Sequence, residues 1–297
     1  MKETIGKVLL DTGLQIGGDQ DSGGNETEDR LLEIVSRYRE KEFPGVILQE
    51  AAWPVTLQLS PMRESLLNWI PFQAGETILE VGAGCGAVTG AFLGKGLQVT
   101  AVEPSLRQSR INATRHADCE ELTILVGPYE DVLSCLKTKY DHAVLTGVPE
   151  SRLLNRIASV LEDGGSLWVA TANKLGMKYF AGCREEQTGR YFEGIEGYPH
   201  KTGARTFSKK ELTDLAAACG FDCEFYYPYP DHLFPVKIFS DRRLPKKGEL
   251  GRNWQSFDAD RLQLFDEAKA FDTVLDAGLF PEFSNSFLVR MRKKVSG

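Results

Sequence analysis

Between Thr77 and Thr171, short apolar runs alternate with stretches of helical spacing. Thr77–Val81, Gln98–Val102, Leu122–Val126, Asp141–Leu145 and Ser166–Thr171 predict strands. Helices near 87–95, 105–117, 129–138 and 150–162 fall between them. Near-continuous apolar strands separated by helices predict a parallel sheet covered on both faces. Crossovers in such a sheet are right-handed. The expected fold class is α/β, with a Rossmann-like, doubly wound sheet.

The flanks read differently. Residues 11–25 are rich in Gly and Asp and predict a flexible segment with no core to bury. From Glu26 to Glu42, Leu31, Leu32, Ile34, Val35 and Tyr38 recur at helical spacing. Thr27 is the expected N-cap, and Phe43-Pro44-Gly45 the stop. Pro61–Ile70 predicts another helix, with Ser60 as its cap. After Thr171 the regularity breaks. Residues 173–206 carry many Gly and aromatics, and an irregular stretch of that length in a compact domain is usually functional or disordered. A helix near 208–219, capped by Ser208 and stopped by Gly220, leads to a strand near 222–227. The segment YYPYPDHLFPVKIF is dense in Pro and aromatics; a helix near 258–276 follows, and Ser284–Met291 reads as a last strand. The sheet is therefore expected to be mainly parallel and seven-stranded.

Composition narrows the partners. The net charge is −7, from 35 Lys plus Arg against 42 Asp plus Glu. A duplex binder shows a basic footprint that this chain lacks, so no nucleic-acid partner is expected. No segment has the ~18 uncharged apolar residues of a membrane span, and the first residues are too weakly apolar for a signal peptide. The six cysteines form no CxxC pair, and Cys219 and Cys223 lack matching ligands. A zinc site needs four N/S ligands at recognisable spacing, so no metal is expected and the thiols read as those of a reduced cytoplasm.

The informative chemistry lies in Ile78-Leu79-Glu80-Val81-Gly82-Ala83-Gly84-Cys85-Gly86, a strand, a glycine-rich turn and the start of a helix. Glycine lets the backbone turn sharply and lets a ligand approach without a Cβ. The helix that follows offers free N–H groups and a positive dipole end. Glu103 ends the second strand, 21 residues after Gly82, and a carboxylate there accepts from both hydroxyls of a ribose. The pair predicts an adenosine-type ligand. Gly82-x-Gly84-x-x-Ala87 also satisfies the dinucleotide pattern, which keeps a nicotinamide cofactor open. Glu80 beside the turn would repel a pyrophosphate and suits a cationic ligand instead.

Here the sequence resembles the class I S-adenosylmethionine-dependent methyltransferases. The resemblance rests on ILEVGAGCG, AVEPS, YDHAVLTGVPE and VLEDGGSLWVA, and covers roughly residues 56–291. Through NKLGMKYFAG, FEGIEGY and FYYPYPDHLFP it is most similar to members encoded beside bacterial glycosyltransferases. The resemblance implies S-adenosylmethionine as cofactor and S-adenosylhomocysteine as product. It implies that Glu80 sits near the methionine amine, and that Gly82, Ala83, Gly84, Cys85 and Gly86 form the loop around the methionine portion. Glu103 would hold the ribose, with Pro104 and Ser105 against adenine. Gly127, Tyr129 and Glu130 would flank the adenine edge, where Pro128 replaces an Asp that many members carry. Thr146, Gly147 and Val148 would lie next to the sulfonium and the acceptor. The chain then divides into a flexible segment over 1–26, a helical cap over 27–72 and a methyltransferase core over 73–297. Lid insertions are expected at 173–206 and 229–283.

The acceptor side is read from absences and from loops. Thr146-Gly147-Val148-Pro149 replaces the Asn/Asp-Pro-Pro-Tyr/Phe that methylation of an exocyclic base nitrogen or a glutamine amide would need. No Pro-Cys pair supplies a thiolate nucleophile. An O or N atom of a small-molecule or carbohydrate acceptor is the expected target. His200 and His232, in loops after strands, are the candidate bases, against the plainer reading of surface loop histidines. Asn173, Tyr179, Phe180 and Tyr198 are candidate acceptor contacts, because aromatic walls with a few polar groups suit sugars and planar metabolites. His116 closes a predicted helix and can serve its dipole. A scaffold that holds the adenosyl ligand without turnover is the alternative.

Overall fold

The computed structural model describes residues 1–14, 26–200, 203, 205–251 and 260–294. The chain forms two compact units: Met1–Thr146, Arg152–Trp168 and Lys293–Gly297 make the first, and Gly147–Ser151 with Val169–Arg292 the second.

The first unit is built on strands β1 (Lys2–Ile5), β2 (Val8–Asp11), β3 (Thr77–Val81), β4 (Gln98–Glu103), β5 (Leu122–Val126) and β6 (Tyr140–Thr146), and on the start of β7 (Leu161–Ala172). Their order is β1-β2-β5-β4-β3-β6-β7. β3 pairs in parallel with β4 and with β6, and β4 with β5. The register sets Glu80 opposite Ala101 and Glu103 opposite Val126. Helices α1 (Glu26–Arg37), α2 (Phe43–Glu50) and α3 (Trp53–Leu59) precede β3. Helices α4 (Thr89–Leu93), α5 (Leu106–Arg115), α6 (Tyr129–Cys135) and α7 (Ser151–Val160) alternate with the strands. Leu31, Ile34 and Val35 on one face of α1 join Phe43, Val46, Val55 and Leu59 in a cluster that also takes in Cys85 and Ile111. Burying each large aliphatic side chain there contributes about 1.5–3 kcal/mol.

The second unit carries the end of β7, then β8 (Phe221–Tyr229), β9 (Lys237–Ser240) and β10 (Ser286–Lys293), in the order β7-β10-β8-β9. β8 and β9 are antiparallel. Its helices are α8 (Met177–Phe180), α9 (Lys209–Ala218), α10 (Glu267–Asp276) and α11 (Phe280–Phe283). Ser208 caps α9 by accepting from Glu211 N, while the Glu211 carboxylate accepts from Ser208 N, a reciprocal capping box.

All seven expected strands are present, but the described sheet is mixed and has ten. β1, β2 and β9 are the additions. Residues 2–11, expected to be flexible, form an antiparallel hairpin whose second strand pairs with β5. Val8 and Leu10 alternate into the core, so this segment does bury a face. Most of the glycine-rich stretch, 15–25, lies outside the described residues. Thr27 sits inside α1 rather than at its cap, because the helix already includes Glu26. The helix expected over 61–70 is a 3-10 segment, Pro61–Leu66, with Ser60 Oγ accepting from Met62 N as its cap. The helix expected from 258 starts only at Glu267, where Asp266 accepts from Ala268 N and Lys269 N. No helix among the described residues is long and apolar enough to cross a membrane.

Candidate functional site

The glycine loop follows β3 and enters α4. Gly82, Gly84 and Gly86 take φ of 77°, 53° and 80°, the left-handed region in which a side chain is strained. Gly86 has a second constraint. A Cβ there would lie 2.4 Å from Asn112 Oδ1 and 3.0 Å from His116 Cε1, so side chains of α5 pack directly beneath the loop. Gly82 and Gly84 are part-exposed, while Ala83, Cys85 and Gly86 are buried. The Cys85 side chain points into the apolar cluster under α1 and burial pushes its thiol up to about 12. Only the backbone of Cys85 is therefore left for a ligand, which narrows its expected role.

Glu103 comes to the loop from the end of β4. Its Oε2 accepts from Gly84 N at 2.9 Å and its Oε1 from Ser105 N at 3.0 Å. One bond to each oxygen leaves each a further lone pair. Burial raises the Glu103 carboxyl above its ordinary value, against the lowering effect of those two N–H groups. Ser105 is also the N-cap of α5, accepting from Gln108 N. Pro104, between them, is half-buried.

Glu80 is 1% exposed. Its Oε2 accepts from Thr89 Oγ1 at 2.7 Å, and its Oε1 has no hydrogen-bond partner. Burial pushes this carboxyl up to about 8. The remaining predicted residues of this unit lie around the same loop. Tyr129, in the first turn of α6, brings its hydroxyl within 3.2 Å of where a Cβ on Gly82 would stand. Thr146 Oγ1 donates to Gly82 O at 3.4 Å. Gly127 is closely covered by the backbone of Leu14, whose carbonyl oxygen lies 2.7 Å from a Cβ built there. Glu130 turns instead to an ion pair with Arg152 at 2.6 Å. Gly147 and Val148 begin the second unit; Gly147 N donates to Ala170 O at 2.9 Å.

The second unit holds the predicted acceptor residues. Asn173 is fully buried: Nδ2 donates to Glu282 O and Ser284 O, each at 2.8 Å, and Oδ1 accepts from Leu175 N. Both donors are spent on backbone, which makes Asn173 a clamp between the end of β7 and the segment before β10. The Tyr179 hydroxyl donates to Glu186, Phe180 packs on Phe283 with centroids 5.8 Å apart, and the buried Tyr198 hydroxyl meets Thr206. His200 is exposed and is held by a carboxylate that sequence reading missed. Glu193, 2% exposed, accepts from His200 N at 3.0 Å and from the ring Nδ1 at 3.2 Å. That contact places the proton on Nδ1 and leaves Nε2 as an acceptor. His232 is half-buried in the loop after β8, beside Asp231. Lys178 also went unpredicted: its side chain is 9% exposed, and its Nζ pairs with Glu186 Oε1 at 2.6 Å.

Parallel strands with a glycine turn and a carboxylate at adjacent strand ends make a Rossmann-like arrangement. The profile of the methyltransferase domain family matches residues 56–224, more than half of the chain, and the chain belongs to that family. A search of curated proteins finds no match. Among solved structures, the chain is similar to Haemonchus contortus phosphoethanolamine N-methyltransferase 2, at 15% identity and a TM-score of 0.48 over 80% of this chain. The chain spans about half of that enzyme, 53%. An S-adenosylmethionine-dependent methyltransferase from Archaeoglobus fulgidus matches at 13% identity and 0.48, covering 78% of this chain and 92% of that one. One from Thermotoga maritima matches at 18% and 0.46, covering 89% and 100%.

Proposed function

We propose that this chain transfers the methyl group of S-adenosylmethionine to an O or N atom of a small-molecule or carbohydrate acceptor. The observation that carries the cofactor site is the meeting of two sequence motifs through one bond, Gly84 N to Glu103 Oε2 at 2.9 Å. Glu103 would take the ribose hydroxyls on its remaining lone pairs. Gly82, Ala83 and Gly84 would run along the amino-acid portion, and the free Oε1 of Glu80 suits a cationic amine. Pro104, Ser105, Gly127 and Tyr129 would flank adenine, and Thr146, Gly147 and Val148 the sulfonium. The bound cofactor supplies an activated methyl group, so the protein's work is orientation and exclusion of water.

Where the acceptor is a hydroxyl, a base is needed. His200, aimed by Glu193, is the residue equipped to take that proton on Nε2. His232 is the second candidate, and Tyr179, Phe180 and Tyr198 are the aromatic candidates for the acceptor. The finer likeness to enzymes encoded beside glycosyltransferases belongs to this proposal and keeps a glycan among the acceptors. All six cysteines are unpaired, which suits a reducing cytoplasm. The test is calorimetric titration with S-adenosylmethionine, S-adenosylhomocysteine and NAD. Micromolar binding of the first two and none of the third is the expected result; binding of NAD alone overturns the reading.

A further inference from the structure

Behind the glycine loop, four side chains from β3, α4, α5 and the residue that caps the end of α5 form a chain of hydrogen bonds whose direction can be worked out. His116 Nδ1 lies 3.1 Å from Asn112 O and 2.9 Å from Asn112 Oδ1. The backbone carbonyl only accepts, so Nδ1 carries the proton and is shared between the two oxygens. Asn112 Oδ1 is thereby an acceptor, and its Nδ2 faces Thr89 Oγ1 at 3.3 Å as donor. The Thr89 hydroxyl, already accepting, gives its own proton to Glu80 Oε2 at 2.7 Å. Every bond points the same way, from His116 to Glu80. Thr89 and Asn112 are fully buried, and His116 is 5% exposed.

At the far end, His116 Nε2 makes no hydrogen bond. Arg115, with a side chain 1% exposed, donates to Glu40 at 2.7 Å and to Gln58 O at 2.8 Å. Glu40 Oε1 stands 3.6 Å from His116 Nε2. The chain also passes directly under Gly86 and Gly90, where a Cβ would meet Asn112 at 2.4 Å and His116 Nε2 at 3.5 Å. A linked set of polar groups in a dry setting is costly unless every member is satisfied. Here two positions are unfilled, one at each end: His116 Nε2 and the terminal oxygen on the ligand side, Glu80 Oε1.

We propose that Thr89, Asn112 and His116 are positioning residues that hold the Glu80 carboxyl with Oε1 turned to the amino group of the bound methyl donor. This rests on the cofactor reading above. The chain's work is confined to the amino-acid end of the ligand. Its loss therefore spares a ligand that has the adenosine and lacks that end.

The experiment is calorimetric titration of the whole protein with S-adenosylhomocysteine and with 5′-methylthioadenosine, which has no amino-acid portion. Thr89→Val keeps the shape and removes the donor. It is expected to weaken S-adenosylhomocysteine about tenfold while moving methylthioadenosine less than about twofold; Thr89→Ser restores the wild-type value. Asn112→Asp is the second variant. It accepts where Asn donates, draws the Thr89 hydroxyl away from Glu80, and is expected to give the same selective loss. Equal losses for the two ligands would mean a structural role and overturn the proposal, as would no loss for either. A wild-type protein that binds neither ligand overturns the cofactor reading itself, a result distinct from both.

Discussion

Two buried glutamates, one in each unit, sit in opposite electrostatic settings. Glu80 is 1% exposed and Glu193 2%. Burial pushes both carboxyls up. At Glu80 the answering groups are a threonine hydroxyl and the more distant Arg115 charge, and the carboxyl stays up at about 8. At Glu193 the His200 backbone and ring N–H groups outweigh burial, and the carboxyl ends below its ordinary value. The same side chain is completed by its own chain in one unit and left short of a donor in the other. A carboxylate satisfied from within orients its partner; one left with a bare oxygen is suited to a cation that arrives from outside.

The hardest test of that contrast is His200→Gln. If Glu193 exists to aim an acceptor-side base, turnover falls about 10²–10⁴-fold with KM changed far less. An unchanged turnover in steady-state assays would reduce Glu193 and His200 to a loop fastening.

The contrast also has a pH signature. Glu80 titrates near 8 folded against 4.5 unfolded, so its folded value is raised. Its share of stability is complete below 4.5 and is lost as pH rises to about 8. The slope in that window approaches at most ~1.4 kcal/mol per pH unit. Glu193 runs the other way: its folded value is lowered, so its share is present above 4.5 and is lost as pH falls through that lowered value. Urea unfolding from pH 5 to 8 should show the decline in the wild type and a flatter profile in Glu80→Gln. Parallel profiles for the two proteins would remove Glu80 from the account.

A third test separates pairing from positioning within the second unit. Glu186→Ala leaves the Lys178 ammonium, 9% exposed, without its 2.6 Å partner. The Glu186 side chain is itself 33% exposed, so the loss is set below that of a fully buried pair, at about 2–3 kcal/mol by denaturant unfolding. Cofactor binding measured below the transition should stay within about twofold of wild type.

What could be read ahead of the structure follows the range of the interactions. The seven main strands are long apolar runs and were placed to within a few residues, β7 excepted at its start. The loop was legible because a tight turn demands glycine, and the place of Glu103 because it ends the next apolar strand. β1 and β2 escaped because each has four residues, too few for an alternating pattern to stand out beside the glycine-rich stretch that follows. The clamp made by Asn173 was not legible, because a polar residue past a strand looks available until the backbone carbonyls that take both its donors are known. Thr89 and Asn112 carried no signal, since their partners are 9 and 23 residues apart across three elements, and His116 was legible only as the residue closing a helix. Glu193 lies seven residues from His200 in an irregular stretch of turns, where no helix or strand period points to the pair.

The smallest expected effect falls on the other carboxylate of the first unit. Glu103 differs from Glu80 in being completed by the chain, through Gly84 N and Ser105 N, while keeping lone pairs for a ribose. Glu103→Ala should weaken S-adenosylhomocysteine about tenfold, ~1.4 kcal/mol. Part of any loss could come from the freed loop, because Gly84 N loses its acceptor. The two causes separate with a ligand lacking the ribose hydroxyls. If Glu103 binds them, a 2′,3′-dideoxy analogue of S-adenosylhomocysteine should bind wild type and variant within about twofold of each other. A full tenfold loss for the dideoxy ligand would make Glu103 a fastener of the loop, and the two carboxylates of this unit would then differ in kind.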